Sequence, residues 1–61
     1  LSPNQYLLDL RIRKAQTLLT NTALSIQQIS EETGFDSSFY FSRFFKQRTD
    51  LSPLNYRKAF R

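Results

Sequence analysis

Ser38, Phe39, Ser42, Arg43 and Lys46 recur at intervals of one, three or four residues, the spacing that gathers side chains along one side of a helix. Two hydroxyls, a ring, a guanidinium and an ammonium on one stripe suit hydrogen bonding and charge pairing with a polyanion. A guanidinium on guanine O6 and N7 is the commonest specific contact in a DNA major groove, and an apolar side chain suits a thymine methyl. On a wheel turning about 100° per residue, the other side carries Phe41, Phe44 and Phe45, with Tyr40 at its edge. That side is expected to be core. The plain alternative is a solvated helix face with incidental charges and one stray ring, because short motifs of this kind have many false positives.

Other chemistries lack their residues. Cysteine, histidine, methionine and tryptophan are absent, which removes zinc-finger ligands, thiol nucleophiles and histidine bases. The carboxylates Asp9, Glu31, Glu32, Asp36 and Asp50 are scattered. Glu31 and Glu32 are adjacent, and neighbours at that spacing do not face each other on a helix. No catalytic residue, metal site or cofactor is expected. Nine Lys and Arg against five Asp and Glu give a net charge of +4. A balance of that sign favours polyanionic partners, and the charge is spread through the chain rather than gathered in a tail. No apolar run reaches membrane-spanning length and no signal-peptide pattern appears, so no membrane partner is expected. The absence of cysteine fits a reducing compartment. The missing initiator Met suggests an excised fragment, and 61 residues make one small domain at most.

The stripe must be held by its neighbours. Ser25 with Gln28 reads as a capping box opening a short helix, with Ile26 and Ile29 as its apolar edge. Gly34 suits a positive-φ helix stop. Asp36 and Ser37 then cap a longer helix running to about Gln47. Two helices joined by a glycine turn form a helix-turn-helix, whose second helix enters the major groove. Ahead of it, Ser2 caps, Pro3 takes the first helical position and Gln5 can close a second box, so a helix is expected from Pro3 to Leu19 or Thr20. Leu8, Ile12, Ala15 and Leu19 form its core stripe. Leu7, Leu10 and Leu18, with Tyr6 nearby, form a surplus stripe, which predicts a neighbour outside this chain, a self-association surface, or a wide arc wrapped by this domain. After a loop in which Leu51 can plug the core, Ser52-Pro53 starts a last helix to about Phe60, with Tyr56 and Phe60 packing on one side. The reading is all-α: a small four-helix bundle of helix-turn-helix (homeodomain-like) type.

These residues resemble a known family. Ser2-Pro3, Tyr6-Leu7, Leu10-Arg11-Ile12, Ala15 and Leu18-Leu19, then Ser25-Ile26, Ile29, Gly34-Phe35, Tyr40-Phe41-Ser42-Arg43, Phe45-Lys46, Ser52-Pro53 and Tyr56-Arg57 look like the carboxy-terminal part of the DNA-binding module of AraC/XylS-type transcriptional regulators. The resemblance spans essentially the whole chain. It implies a module of two helix-turn-helix units joined by a linker helix. Here residues 3–19 would be the linker helix, 25–47 the second unit and 53–60 the closing helix, with the first unit missing. It also implies a bacterial, cytoplasmic protein of the nucleoid, with double-stranded DNA and RNA polymerase as partners. Two positions depart from the family pattern: Asp50 stands where glycine is common, and Phe39 where a polar or aliphatic residue is usual.

The expected interface follows. Ser38, Phe39, Ser42 and Arg43 face the bases, with guanine and phosphate both open for Arg43. Lys46 and Ser37 meet phosphate, as does the helix N-terminus at Ser25, Ile26 and Gln27. Arg57 is expected as an outer phosphate contact or a solvated charge. The competing class is a helical protein-interaction module using the Leu7/Leu10/Leu18 face.

Overall fold

A computed structural model describes residues 2–61 as four helices: α1 (Pro3–Asn21), α2 (Ile26–Glu32), α3 (Ser38–Thr49) and α4 (Pro53–Phe60). Each begins the same way. Ser2, Ser25, Ser37 and Ser52 sit in extended backbone and accept from the amides of Gln5, Gln28, Tyr40 and Asn55 at 3.0–3.2 Å. A serine oxygen there satisfies one of the first-turn donors that a helix leaves without an internal acceptor. At Ser25 the box is complete, because Gln28 Oε1 accepts in return from the Ser25 amide at 2.9 Å. At Ser2 the serine half forms without the return bond from Gln5 among the described residues.

The helix ends lie further along than the sequence suggests. α1 reaches Asn21 because its polar tail bonds backwards instead of stopping it. Thr20 Oγ1 donates to the Gln16 carbonyl, Asn21 Nδ2 to Thr17 and Thr22 Oγ1 to Leu18, at 2.6–3.1 Å. α3 likewise passes Gln47 to Thr49, whose hydroxyl donates to the Phe45 carbonyl at 2.9 Å. Asp50 then terminates it in the left-handed region, at φ 66°. At the end of α2, Gly34 takes φ 86°. The Gly34 amide donates to Glu31 and the Phe35 amide to Ser30, the paired bonds of a Schellman cap.

The core is Ile12, Ala15 and Leu19 of α1, Ile29 of α2, Phe35 of the turn, and Phe41 and Phe45 of α3. Leu8, Leu18, Leu24, Ile26, Phe44 and Tyr56 pack against it. Phe35 lies 5.2 Å from Phe41, Phe41 5.7 Å from Phe45, and Tyr56 meets Phe45 edge-on at 5.3 Å, ring centre to ring centre. One expectation changes here, the grouping of Leu18 with the surplus stripe. Phe60 stacks on Tyr56 at 4.6 Å but stays exposed. Tyr40 keeps to the edge, 52% exposed. Leu18 joins the core, whereas Tyr6, Leu7 and Leu10 remain on the surface, so this domain does not wrap the surplus stripe of α1.

Polar straps complete the frame. Arg57 Nε donates to the Leu19 carbonyl at 3.0 Å, and Arg57 Nη2 to those of Leu24 at 2.7 Å and Thr22 at 3.3 Å. One side chain of α4 thereby holds the end of α1 and the strand of chain leading to α2. Asp9 and Arg48 form an ion pair between α1 and α3. Lys14 Nζ donates to the Glu32 carbonyl at the end of α2, at 3.3 Å, where the helix dipole favours a cation.

Arg57→Ala strips three partly buried carbonyls of their donor and is expected to cost about 1–3 kcal/mol. Arg57→Lys is expected to recover little, since one ammonium cannot span all three. Thermal unfolding checks both, and an unchanged midpoint in Arg57→Ala would remove the clamp. Asp50→Gly is expected to stabilise by about 0.5–1 kcal/mol, because it relieves a left-handed side chain and removes an anion from the negative end of α3; urea titration reads the gain.

Candidate nucleic-acid interface

The roll of α3 about its own axis is set by Phe41 and Phe45, both fully buried. With those rings inward, residues 39, 43 and 47 are turned outward at a spacing of four. Phe39 is 75% exposed, which is unusual for a ring that could have been buried and leaves its face open to a partner. Phe39, Ser42, Arg43, Lys46 and Gln47 line one open groove with Ser52, which the connection from α3 to α4 brings alongside. Arg43 and Lys46 are exposed there, and neither has a salt-bridge or hydrogen-bond partner among the described residues. Two cations, hydroxyls, an amide and an aromatic face can bind an anionic, base-bearing surface by charge and hydrogen bonds. No group of side chains able to hold a metal ion is found among the described residues, and no helix there is long and apolar enough to cross a membrane.

The residues expected at the interface fall into three sets. Phe39, Ser42, Arg43 and Lys46 come together. Ser38 and Ser37 lie at the start of α3, Ser38 half-buried and Ser37 with its oxygen held by the Tyr40 amide. Ser25, Ile26 and Gln27 open α2: the box occupies both the hydroxyl and the amide of Ser25, Ile26 packs on the core, and Gln27 is exposed. The first-turn amides of Ile26 and Gln27 have no acceptor within the helix.

Arg57 is a correction. Expected as a phosphate contact or a solvated charge, it has its guanidinium committed to three backbone carbonyls. Sequence reasoning also missed two members of the groove. Gln47 was visible as the next residue in the 39–43 series. Ser52 was visible only as a helix cap, since nothing local says which groove it borders.

Three of the remaining cations make contacts within the fold, while Arg13, Lys58 and Arg61 stay exposed. Arg48 pairs with Asp9, Lys14 with a carbonyl, and Arg11 lies 6.0 Å over the Phe35 ring. Arg11 also closes over the turn, since a Cβ added at Gly34 would stand 3.3 Å from Arg11 Nε. The positive φ favours glycine here, and a side chain would in addition push the Arg11 guanidinium aside by a few tenths of an ångström.

Comparison with known proteins places this geometry. A helix-turn-helix domain family matches residues 1–59. The chain is 43% identical over 58 residues to the Msm operon regulatory protein of Streptococcus mutans, covering 95% of this chain and 21% of that protein. It is 44% identical over 54 residues to the transcriptional activator RhaR of Escherichia coli, covering 88% of this chain and 19% of that protein. It superposes with a TM-score of 0.94 on the C-terminal domain of AraT, a response regulator from Geobacillus stearothermophilus, at 39% identity, over 97% of this chain and 49% of that one. The chain thus spans about a fifth of these curated relatives and about half of the solved chain.

The two kinds of phenylalanine on α3 are expected to separate cleanly in stability. Phe39→Ala should change unfolding free energy by no more than about 0.5 kcal/mol, as a surface substitution does. Phe41→Ala should cost about 3–5 kcal/mol. Equal losses in chemical denaturation would mean that the ring of Phe39 is part of the core.

Proposed function

The chain belongs to the AraC/XylS-type helix-turn-helix family, and on that premise we propose that it is the second DNA-reading unit of a transcriptional regulator, with α3 inserted in the major groove of double-stranded DNA. The observation that carries this reading is the groove on α3. Phe39, Ser42, Arg43 and Lys46 stand exposed or half-exposed together, on the side opposite the buried rings that fix the helix.

In this reading the first turns of α3 approach the bases. Phe39 covers a thymine methyl and Arg43 takes guanine O6 and N7. Ser42 and Ser38 supply weaker hydrogen bonds to base edges. Lys46 and Ser37 meet the phosphates, with the start of α2 beside Ser25, where the amides of Ile26 and Gln27 are open, as a second anchor. The unit acts by binding and carries out no reaction. Residues 3–19 are the linker to a first helix-turn-helix unit, 25–47 the second unit and 53–60 the closing helix. Tyr6, Leu7 and Leu10, exposed on α1, support that linker assignment, because an apolar face of this kind needs a cover. A complete regulator of this kind would work in the bacterial cytoplasm, on the nucleoid, and would also touch RNA polymerase.

The magnitude is set by charge. Three or four phosphate contacts give a slope of log K against log[salt] of about −3, and one such unit alone should bind at about 10⁻⁴–10⁻⁶ M. Arg43→Ala is expected to cost about 1–3 kcal/mol and to relax base preference at one position. Fluorescence anisotropy with duplexes enriched from a random pool checks this. A loss equal on all sequences would make Arg43 a phosphate contact, and a wild-type protein that ignores duplex DNA at low salt would end the proposal.

A further inference from the structure

We propose that Tyr40 is a phosphate contact, presenting its phenolic hydroxyl to the DNA backbone on the flank of α3 opposite Lys46. The inference rests on the major-groove reading above and adds to it a residue which that reading leaves at the edge of the core.

Tyr40 is held unlike a core tyrosine. Its ring packs on Phe44 at 5.4 Å and on Phe35 at 6.3 Å, ring centre to ring centre. Yet the residue is 52% exposed, and its hydroxyl has no hydrogen-bond partner among the described residues. Two rings fix the direction of a side chain whose polar end is left to solvent. Buried tyrosines usually find their hydroxyl a partner within the protein; this one is aimed outward.

Helical geometry gives that hydroxyl its target. Residues three apart are separated by about 60° around the axis, so Tyr40 and Lys46 flank Arg43 on either side by equal amounts. A helix with side chains is about 10–12 Å across and the major groove about 12 Å wide. The centre of the inserted face therefore meets base edges, while its flanks meet the sugar–phosphate walls. Lys46 addresses one wall as a charge and Tyr40 the other as a neutral donor. Its packing against Phe35 and Phe44 keeps the ring from swinging over the floor of the groove, so its contact is to phosphate and carries no base preference.

Tyr40→Phe removes the hydroxyl and keeps the ring stack. The protein containing this chain is titrated with a labelled duplex enriched from a random pool and with a scrambled duplex, over a range of salt. Tyr40→Phe is expected to weaken both about three- to tenfold, the worth of one hydrogen bond, with an unchanged thermal midpoint and an unchanged salt slope because no charge is lost. Lys46→Ala should lower the slope by about 0.9. Duplexes carrying a single methylphosphonate linkage, moved along the enriched site, should reveal one position that weakens wild type and leaves Tyr40→Phe unaffected. Wild-type affinity in Tyr40→Phe alongside a loss in Arg43→Ala would overturn this inference and leave the major-groove reading standing. A loss confined to the enriched duplex would overturn it too, as a base contact. If wild type binds neither duplex, both readings fall together.

Discussion

The burial of two rings, Phe41 and Phe45, governs this domain. A helix twelve residues long has every azimuth available until something on it must leave water. Two fully buried phenylalanines on one side contribute several kcal/mol in favour of a single roll. Phe35 meets Phe41 from the turn and Tyr56 meets Phe45 from α4, so the middle of α3 is gripped by aromatic contacts from two elements. The outward face is then a consequence: whatever stands opposite the rings is displayed. The core is small, but it fixes the orientation on which recognition would depend.

Formal charge is a poor guide to where a polyanion would sit. The chain carries nine Lys and Arg, and the fold takes several for its own use. Arg57 clamps three carbonyls, Arg48 answers Asp9, Lys14 closes α2 and Arg11 covers the glycine turn. These contacts stabilise a domain too small to rely on apolar burial alone. What remains at the groove is Arg43 and Lys46. Removing a strapping arginine would therefore weaken DNA binding indirectly, by unfolding, with no change in the surface that touches DNA. Affinity measured without stability would confuse the two.

How legible each part was follows from how far its cause lies along the chain. The helix starts were readable because a serine and an amide three residues on decide them, and all four caps formed. The inward and outward sides of α3 were readable because periodicity is local to the helix. The helix ends were not: Thr20, Asn21, Thr22 and Thr49 look like stop signals, and their hydroxyls and amide instead bond the preceding turn. Arg57 was missed because its acceptors lie 33–38 residues away. Ser52 entered the groove through the path of a loop, which no local pattern records. Asp50 was readable as an anomaly, since a residue where glycine is usual must accept a left-handed backbone, and it does so at φ 66°.

The exposed half of α1 bears on how a unit of this size would reach useful affinity. Three or four phosphate contacts and one reading helix would leave binding near the non-specific range. Further contacts on the same helix cannot change that by much, because the groove limits how many side chains reach bases. A second unit fixed to the first does change it, since the second binding step becomes intramolecular. For that gain the connection must be stiff and of the right length. α1 has 19 residues, which at 1.5 Å per residue is about 28 Å, comparable to the roughly 34 Å turn of the duplex. A rod of that length, docked here through Ile12, Ala15 and Leu19 and presenting Tyr6, Leu7 and Leu10 at its other end, would hold two reading helices about one turn apart. With a first reading unit docked there, the apolar residues left uncovered on α1 would serve affinity alongside the cations on α3, because they would hold the spacing that two weak contacts need to act as one.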